Sequence, residues 1–108
     1  TGSRDKWKHI LQLYNQLILI EYSPVTALNR TFALSKVYGY EQAIFEAQKL
    51  NLPESNQYHE LLGYLYAPSN ARKAIEHYER AIELTKSETG KQALRREIER
   101  LKMKDDRS

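Results

Sequence analysis

Residues Tyr58–Thr85 read YHELLGYLYAPSNARKAIEHYERAIELT and carry the clearest packing pattern in the chain. His59-x2-Leu62-Gly63-x2-Tyr66 precedes a short polar break, and Ala74-x3-Tyr78-x2-Ala81 follows it. Positions three and four apart share one face of a helix, so each half presents a single packing stripe. Gly63, Ala74 and Ala81 are small enough for two helices to approach closely. Leu62, Tyr66 and Tyr78 are large enough to fill the groove that remains. Two antiparallel helices joined through Pro68-Ser69-Asn70 are expected. Such a pair cannot bury its apolar face alone, so the flanking sequence is expected to supply stacked neighbours.

This order of small and large residues resembles the tetratricopeptide repeat, W-x2-L-G-x2-Y followed by A-x3-F on two antiparallel helices. His59 stands where that repeat carries tryptophan, and the break is one residue shorter. A second, weaker copy precedes it: Ala43 lies 31 residues before Ala74, and both follow a tight break. The resemblance implies helical hairpins stacked as a right-handed superhelix, with the first helix of each pair lining an inner, concave surface. Glu60 and Tyr64, one turn apart, are expected on that surface, as are Asn29, Ala33 and Lys36 from the earlier copy. These five are the candidate partner-binding residues. Tyrosine suits such a role because it offers rigid area with a polar tip; the competing reading of Tyr64 is a half-buried surface aromatic.

Upstream, Trp7, Ile10, Leu11, Tyr14, Leu17 and Ile18 recur at helical spacing over about Arg4–Glu21, with Leu13 and Ile20 widening the stripe. A helix apolar over most of its circumference wants neighbours on two sides. Ser23-Pro24 restarts the chain with a good N-cap and a residue suited to the first helical position. The helix that follows is expected to run to about Tyr38 and to be closed by Gly39. A third begins near Tyr40, with Ala43, Ile44, Ala47 and Leu50 turned inward and Gln42, Glu46 and Lys49 left for solvent. Further helices are expected over Asn56–Ala67, over about Ala71–Lys86 (capped by Ser69 or Asn70), and from Glu88 to about Lys104 after Ser87. The last carries only Leu94, Ile98 and Leu101 as an apolar stripe, which suits a terminal capping helix. Residues 1–3 read as a linker or cloning remnant, and 105–108 as a fraying tail. The fold class is therefore all-α, about six helices in antiparallel hairpins, forming one domain over residues 4–104.

Composition narrows the function classes. With 108 residues and 41% of them hydrophobic, the chain can bury a modest core. Cysteine is absent, which fits a reducing compartment. No basic–apolar–small leader pattern opens the chain. Its longest aliphatic run, Leu17–Ile20, is far too short to span a bilayer. A soluble, cytoplasmic protein without membrane contact is expected. The net charge of +3 arises wholly after residue 85, where eight basic side chains meet five acidic ones. Lys91, Arg95, Arg96, Arg100, Lys102 and Lys104 could touch phosphates. Glu97 and Glu99 interrupt them, so a solvated face is preferred over a nucleic-acid-binding module. His9, His59 and His77 lack cysteine partners and zinc-ligand spacing, and no glycine-rich phosphate loop occurs. No metal, cofactor, small-molecule substrate or enzymatic activity is expected.

One further resemblance concerns function. Trp7-Lys8-x-Ile10-Leu11-x-Leu13-Tyr14-x-x-Leu17, then Ser23-Pro24-Val25-x-Ala27-Leu28-Asn29-Arg30 and the Val37-Tyr38-Gly39 break, are similar to the C-terminal extension of a group of extracytoplasmic-function sigma factors of RNA polymerase. The likeness extends from Lys6 to about Leu101. Thr31, Phe32 and Ser35 depart from it, standing where that family commonly has small aliphatic residues. It implies a tetratricopeptide-like domain that follows promoter-binding and polymerase-binding sigma regions, and hence that this chain is a fragment of a longer protein. It further implies a regulatory role in transcription initiation through contacts with its own sigma regions, RNA polymerase or a regulator, any DNA contact being made by the sigma regions. The alternative is a free-standing tetratricopeptide adaptor for a peptide or protein.

Overall fold

The computed structural model describes residues 2–107, with side chains described as far as Lys104. Among these residues there are six α-helices and no strand: α1 (Gly2–Ile20), α2 (Pro24–Tyr38), α3 (Tyr40–Leu50), α4 (Asn56–Tyr66), α5 (Ala71–Leu84) and α6 (Glu88–Arg107). The all-α expectation holds, with helix ends within three residues of those read from the sequence. Residues 2 and 3 belong to α1, and α6 continues through 105–107; Thr1 and Ser108 lie outside the described residues. No described helix is long and apolar enough to cross a membrane.

The chain divides into two compact units, the first ending at Asn51 and the second beginning at Leu52. In the first, α2 packs against both α1 and α3. Its start is fixed by Ser23, whose extended backbone and side-chain oxygen cap the helix: the Thr26 N–H donates to Ser23 Oγ at 3.1 Å. Pro24 occupies the first turn, where its missing N–H costs nothing. Gly39 then ends α2 and begins α3 in a single residue. Its N–H donates to Ser35 O at 3.0 Å, and its carbonyl accepts from Ala43 N–H at 3.2 Å. It does so at φ 97° and ψ 168°, a conformation that a Cβ would oppose. Asn51 closes α3 in the left-handed region at φ 47°.

Enclosed on two sides, α2 buries Ala27, Leu28, Thr31, Ala33, Leu34, Ser35 and Val37. The two buried hydroxyls bond back to their own helix, Thr31 Oγ1 to Ala27 O at 2.9 Å and Ser35 Oγ to Phe32 O at 2.6 Å. The buried polar residues of α2 therefore cost little. Burial in α1 is thinner than its sequence stripe. Only Leu11 is fully enclosed; Trp7, Ile10, Tyr14 and Ile18 are half-buried, and Leu17 is exposed. In α3, Ala43 and Ala47 are buried as expected, whereas Glu46 is half-buried rather than fully solvated.

In the second unit, α5 packs against α4 and α6. Ser55 caps α4 and Asn70, not Ser69, caps α5, accepting from the Lys73 N–H at 3.1 Å. Ser87 accepts from the Gly90 N–H at the start of α6. Thr85, in extended backbone, stops α5 two residues before the expected end. The apolar stripe of α6 behaves as its spacing implies: Leu94, Ile98 and Leu101 join Ala74, Tyr78 and Ala81 in one core cluster. Complete burial of Leu62, Leu65 and Leu101 contributes roughly 1.5–3 kcal/mol each. Gly63 has a specific reason to be glycine. A Cβ there would lie 2.7–2.8 Å from three ring atoms of Tyr78, so the small residue receives an aromatic ring, not the opposing backbone. Burial first, and then Glu97, pushes the Tyr78 hydroxyl pKa up to about 12.

Candidate interaction surface

The five residues expected on the inner surface fall in both units. In the first, Asn29 is exposed on α2 and Lys36 is half-buried near its end. Ala33 requires a correction. It has no exposed surface, because α2 is covered by α1 and α3 at that point, and a partner cannot touch it. In the second unit, Glu60 and Tyr64 are half-buried on α4, and Glu60 accepts a hydrogen bond from Asn56 Nδ2 at 3.0 Å.

Lys36 has the most elaborate surroundings. Its Nζ lies 5.1 Å from the ring centre of Phe32 and 5.9 Å from that of Trp7, and those two rings meet edge to face at 5.6 Å. Cation and aromatic faces at such distances attract, by about 0.5–1 kcal/mol at exposed sites. Lys36 and Trp7 line a cleft of about 550 Å³ together with Ser3, Arg4 and Ser35. A second cleft, about 460 Å³, lies between α2 and α3 and is lined by Arg30, Leu34, Tyr38, Gln42 and Glu46. Arg30 is held toward α1 by a hydrogen bond from Nε to Asn15 Oδ1.

The largest departure from an ordinary surface is apolar. Leu19 and Ile20 are 86% and 82% exposed, and Leu13, Leu17, Tyr22 and Val25 are 65%, 44%, 61% and 54% exposed. All six lie on the second half of α1, on the turn into α2 or in its first turn. Single exposed leucines need no explanation, but Leu13, Leu17 and Ile20 recur at i, i+4 and i+7 on one face of α1, and an apolar row of this kind marks a surface for association. The sequence carried the signal: the run Leu17–Ile20 gives α1 more apolar residues than one packing stripe can bury.

The basic residues of α6 are partly engaged locally. Arg100 pairs with Glu97 and Lys91 with Glu88 one turn away, while Arg95, Arg96, Lys102 and Lys104 are exposed. Among the described residues no group of three His, Cys, Asp or Glu side chains is placed to hold a metal ion.

Sequence spacing did not single out one polar contact. His59, buried on α4, and His77, half-buried on α5, bring their Nδ1 atoms to 3.0 Å, and His59 Nε2 is 2.9 Å from Pro53 O. Both histidines are nine residues from Pro68, and that symmetry about the turn of an antiparallel hairpin could have found the pair. No protein-family model, curated protein or solved structure matches this chain.

Proposed function

We propose that this chain is a non-catalytic protein-interaction domain that supports or modulates transcription initiation in the cytoplasm, in the manner of the C-terminal domain of an extracytoplasmic-function sigma factor. The observation that carries the interaction reading is the exposed apolar row of Leu13, Leu17 and Ile20 on one face of α1. Covering Leu17 and Ile20 alone would contribute about 2–4 kcal/mol before the cost of association. The transcription reading rests on the resemblance of Trp7–Leu17 and Ser23–Arg30, and it names the occupant of that surface: the sigma regions. Those regions would also make any DNA contact.

The reading frame that encodes the chain is the first test. Sigma regions joined in frame upstream are expected, and their absence would overturn the sigma reading. The second test is calorimetric titration of the purified chain with those sigma regions. Association is expected, weakened at least tenfold by Leu17→Gln with Ile20→Gln. Failure of the wild-type chain to bind would remove the sigma regions as the occupant. A free-standing tetratricopeptide adaptor is the second reading. It is favoured by the packing of Gly63 against Tyr78, which follows the small-against-large logic of that repeat.

A further inference from the structure

With both rings neutral, the two histidines between α4 and α5 allow only one arrangement of protons. A backbone carbonyl can only accept, so His59 carries a proton on Nε2 and donates to Pro53 O. Neutral His59 then presents a bare Nδ1, which can only accept. The 3.0 Å contact therefore requires His77 to donate from Nδ1–H, leaving its own Nε2 bare. With that assignment a buried imidazole on α4 is fully satisfied, and one hydrogen-bonded line ties the segment before α4, α4 itself and α5.

Acid acts on this line in two unequal steps. A first proton goes to His77 Nε2 and leaves both hydrogen bonds in place. A second has only His59 Nδ1 to occupy. There it would set N–H against N–H across the contact and place two cations in rings whose centres are 5.2 Å apart. We propose that the His59–His77 pair is a proton-operated latch, closed with no proton or one added and released from α5 when the second arrives.

The surroundings fit a latch set against charge. On α4, Tyr58 meets His59 edge-on at 5.2 Å, and Tyr66 stacks on His77 at 5.7 Å with the rings 4° from parallel. Lys73 of α5 lies over that Tyr66 ring at 5.3 Å. Glu54 of the preceding segment faces Arg80 of α5 at 3.6 Å, and Glu60 of α4 is engaged by Asn56. Burial lowers the His77 pKa most, the neighbouring His59 next, and Lys73 acts in the same direction; Glu76 opposes them. A histidine whose pKa is lower folded than unfolded binds more protons when unfolded. Stability is thus fully present above the ordinary histidine pKa, about 6.5, and is lost as pH falls below it.

Nitrogen-15 NMR of the full chain tests the proton assignment. At pH 7.5 His59 is expected as the Nε2–H tautomer and His77 as the Nδ1–H tautomer. On acidification the first proton should appear on His77 Nε2, with the Nδ1–Nδ1 hydrogen bond kept. His59 found as the Nδ1–H tautomer, or both rings charged together in the folded chain, would overturn the proposal. Thermal melts between pH 6.5 and 5, above the carboxylate range, supply the second readout. The wild-type Tm should fall by about 5 °C, a shift typical of roughly 1 kcal/mol in a domain of this size. His77→Gln should stay level, because its amide can offer His59 Nδ1 either an oxygen or an N–H. Equal falls in the two proteins would sink the latch.

Discussion

Gly63→Ala isolates the contact on which the α4–α5 hairpin depends. The added methyl would lie 2.7 Å from Tyr78 Cε1 and 2.8 Å from Cδ1 and Cζ. Carbon atoms rest at about 3.5–4.0 Å, so three ring atoms are overlapped at once. The ring has little room to retreat, being 6% exposed and enclosed by Ala74, Ala81, Leu94, Ile98 and Leu101. Overpacking of this kind costs about 1–3 kcal/mol. Alanine returns up to about 1 kcal/mol through its better helix propensity. The net expectation is a loss of about 0.5–2 kcal/mol, and its sign depends wholly on the ring. In a Tyr78→Leu background, Gly63→Ala should therefore turn stabilising, by about 0.5–1 kcal/mol, for the same propensity reason. Urea unfolding of the four proteins, followed by circular dichroism, yields a coupling energy expected at about 1–3 kcal/mol. Additivity within about 0.5 kcal/mol, or a gain from Gly63→Ala alone, would refute the account of why this residue is glycine.

Five other substitutions separate local causes in the first unit. Ser23→Ala removes the α2 cap and should cost about 1 kcal/mol in a thermal melt. Gly39→Ala should cost about 1–3 kcal/mol through backbone strain alone, since the new Cβ meets nothing within 4 Å; an unchanged Tm would contradict the role given to its φ of 97°. Leu17→Gln and Ile20→Gln, placed on solvent, should each change stability by no more than about 0.5 kcal/mol. Buried Leu11→Ala should lose about 2–5 kcal/mol by the same measurement.

Most of the architecture is written in local chemistry. Ser23-Pro24, Gly39, Ser55 and Ser87 each mark a helix boundary through a hydrogen bond or a backbone angle that few other residues supply, so boundaries were legible to within a turn. The thin stripe Leu94–Ile98–Leu101 gave the inward face of α6 for the same reason. What failed was local in appearance but tertiary in cause. Ala33 shares a helical face with Asn29 and Lys36, yet it is enclosed because α2 has a neighbour on each side, which periodicity along one helix does not reveal. The thinner burial of α1 has the converse origin. Its stripe stated how much apolar surface it carries and left open how much the other helices of its unit would cover. The histidine pair was hidden because neither residue has a motif partner in sequence; only the symmetry about Pro68 relates them.

Gly39 has a consequence for how the first unit comes apart. Ordinary helices fray from ends that loosen independently, each with a few residues of slack before the next element begins. Here the last N–H bonded back into α2 and the carbonyl that starts the ladder of α3 belong to the same peptide-linked residue. Neither helix has a private end at this junction. A fluctuation that rotates Gly39 out of its unusual backbone state removes a rung from both helices together, so local opening there is a single cooperative event and not two small ones.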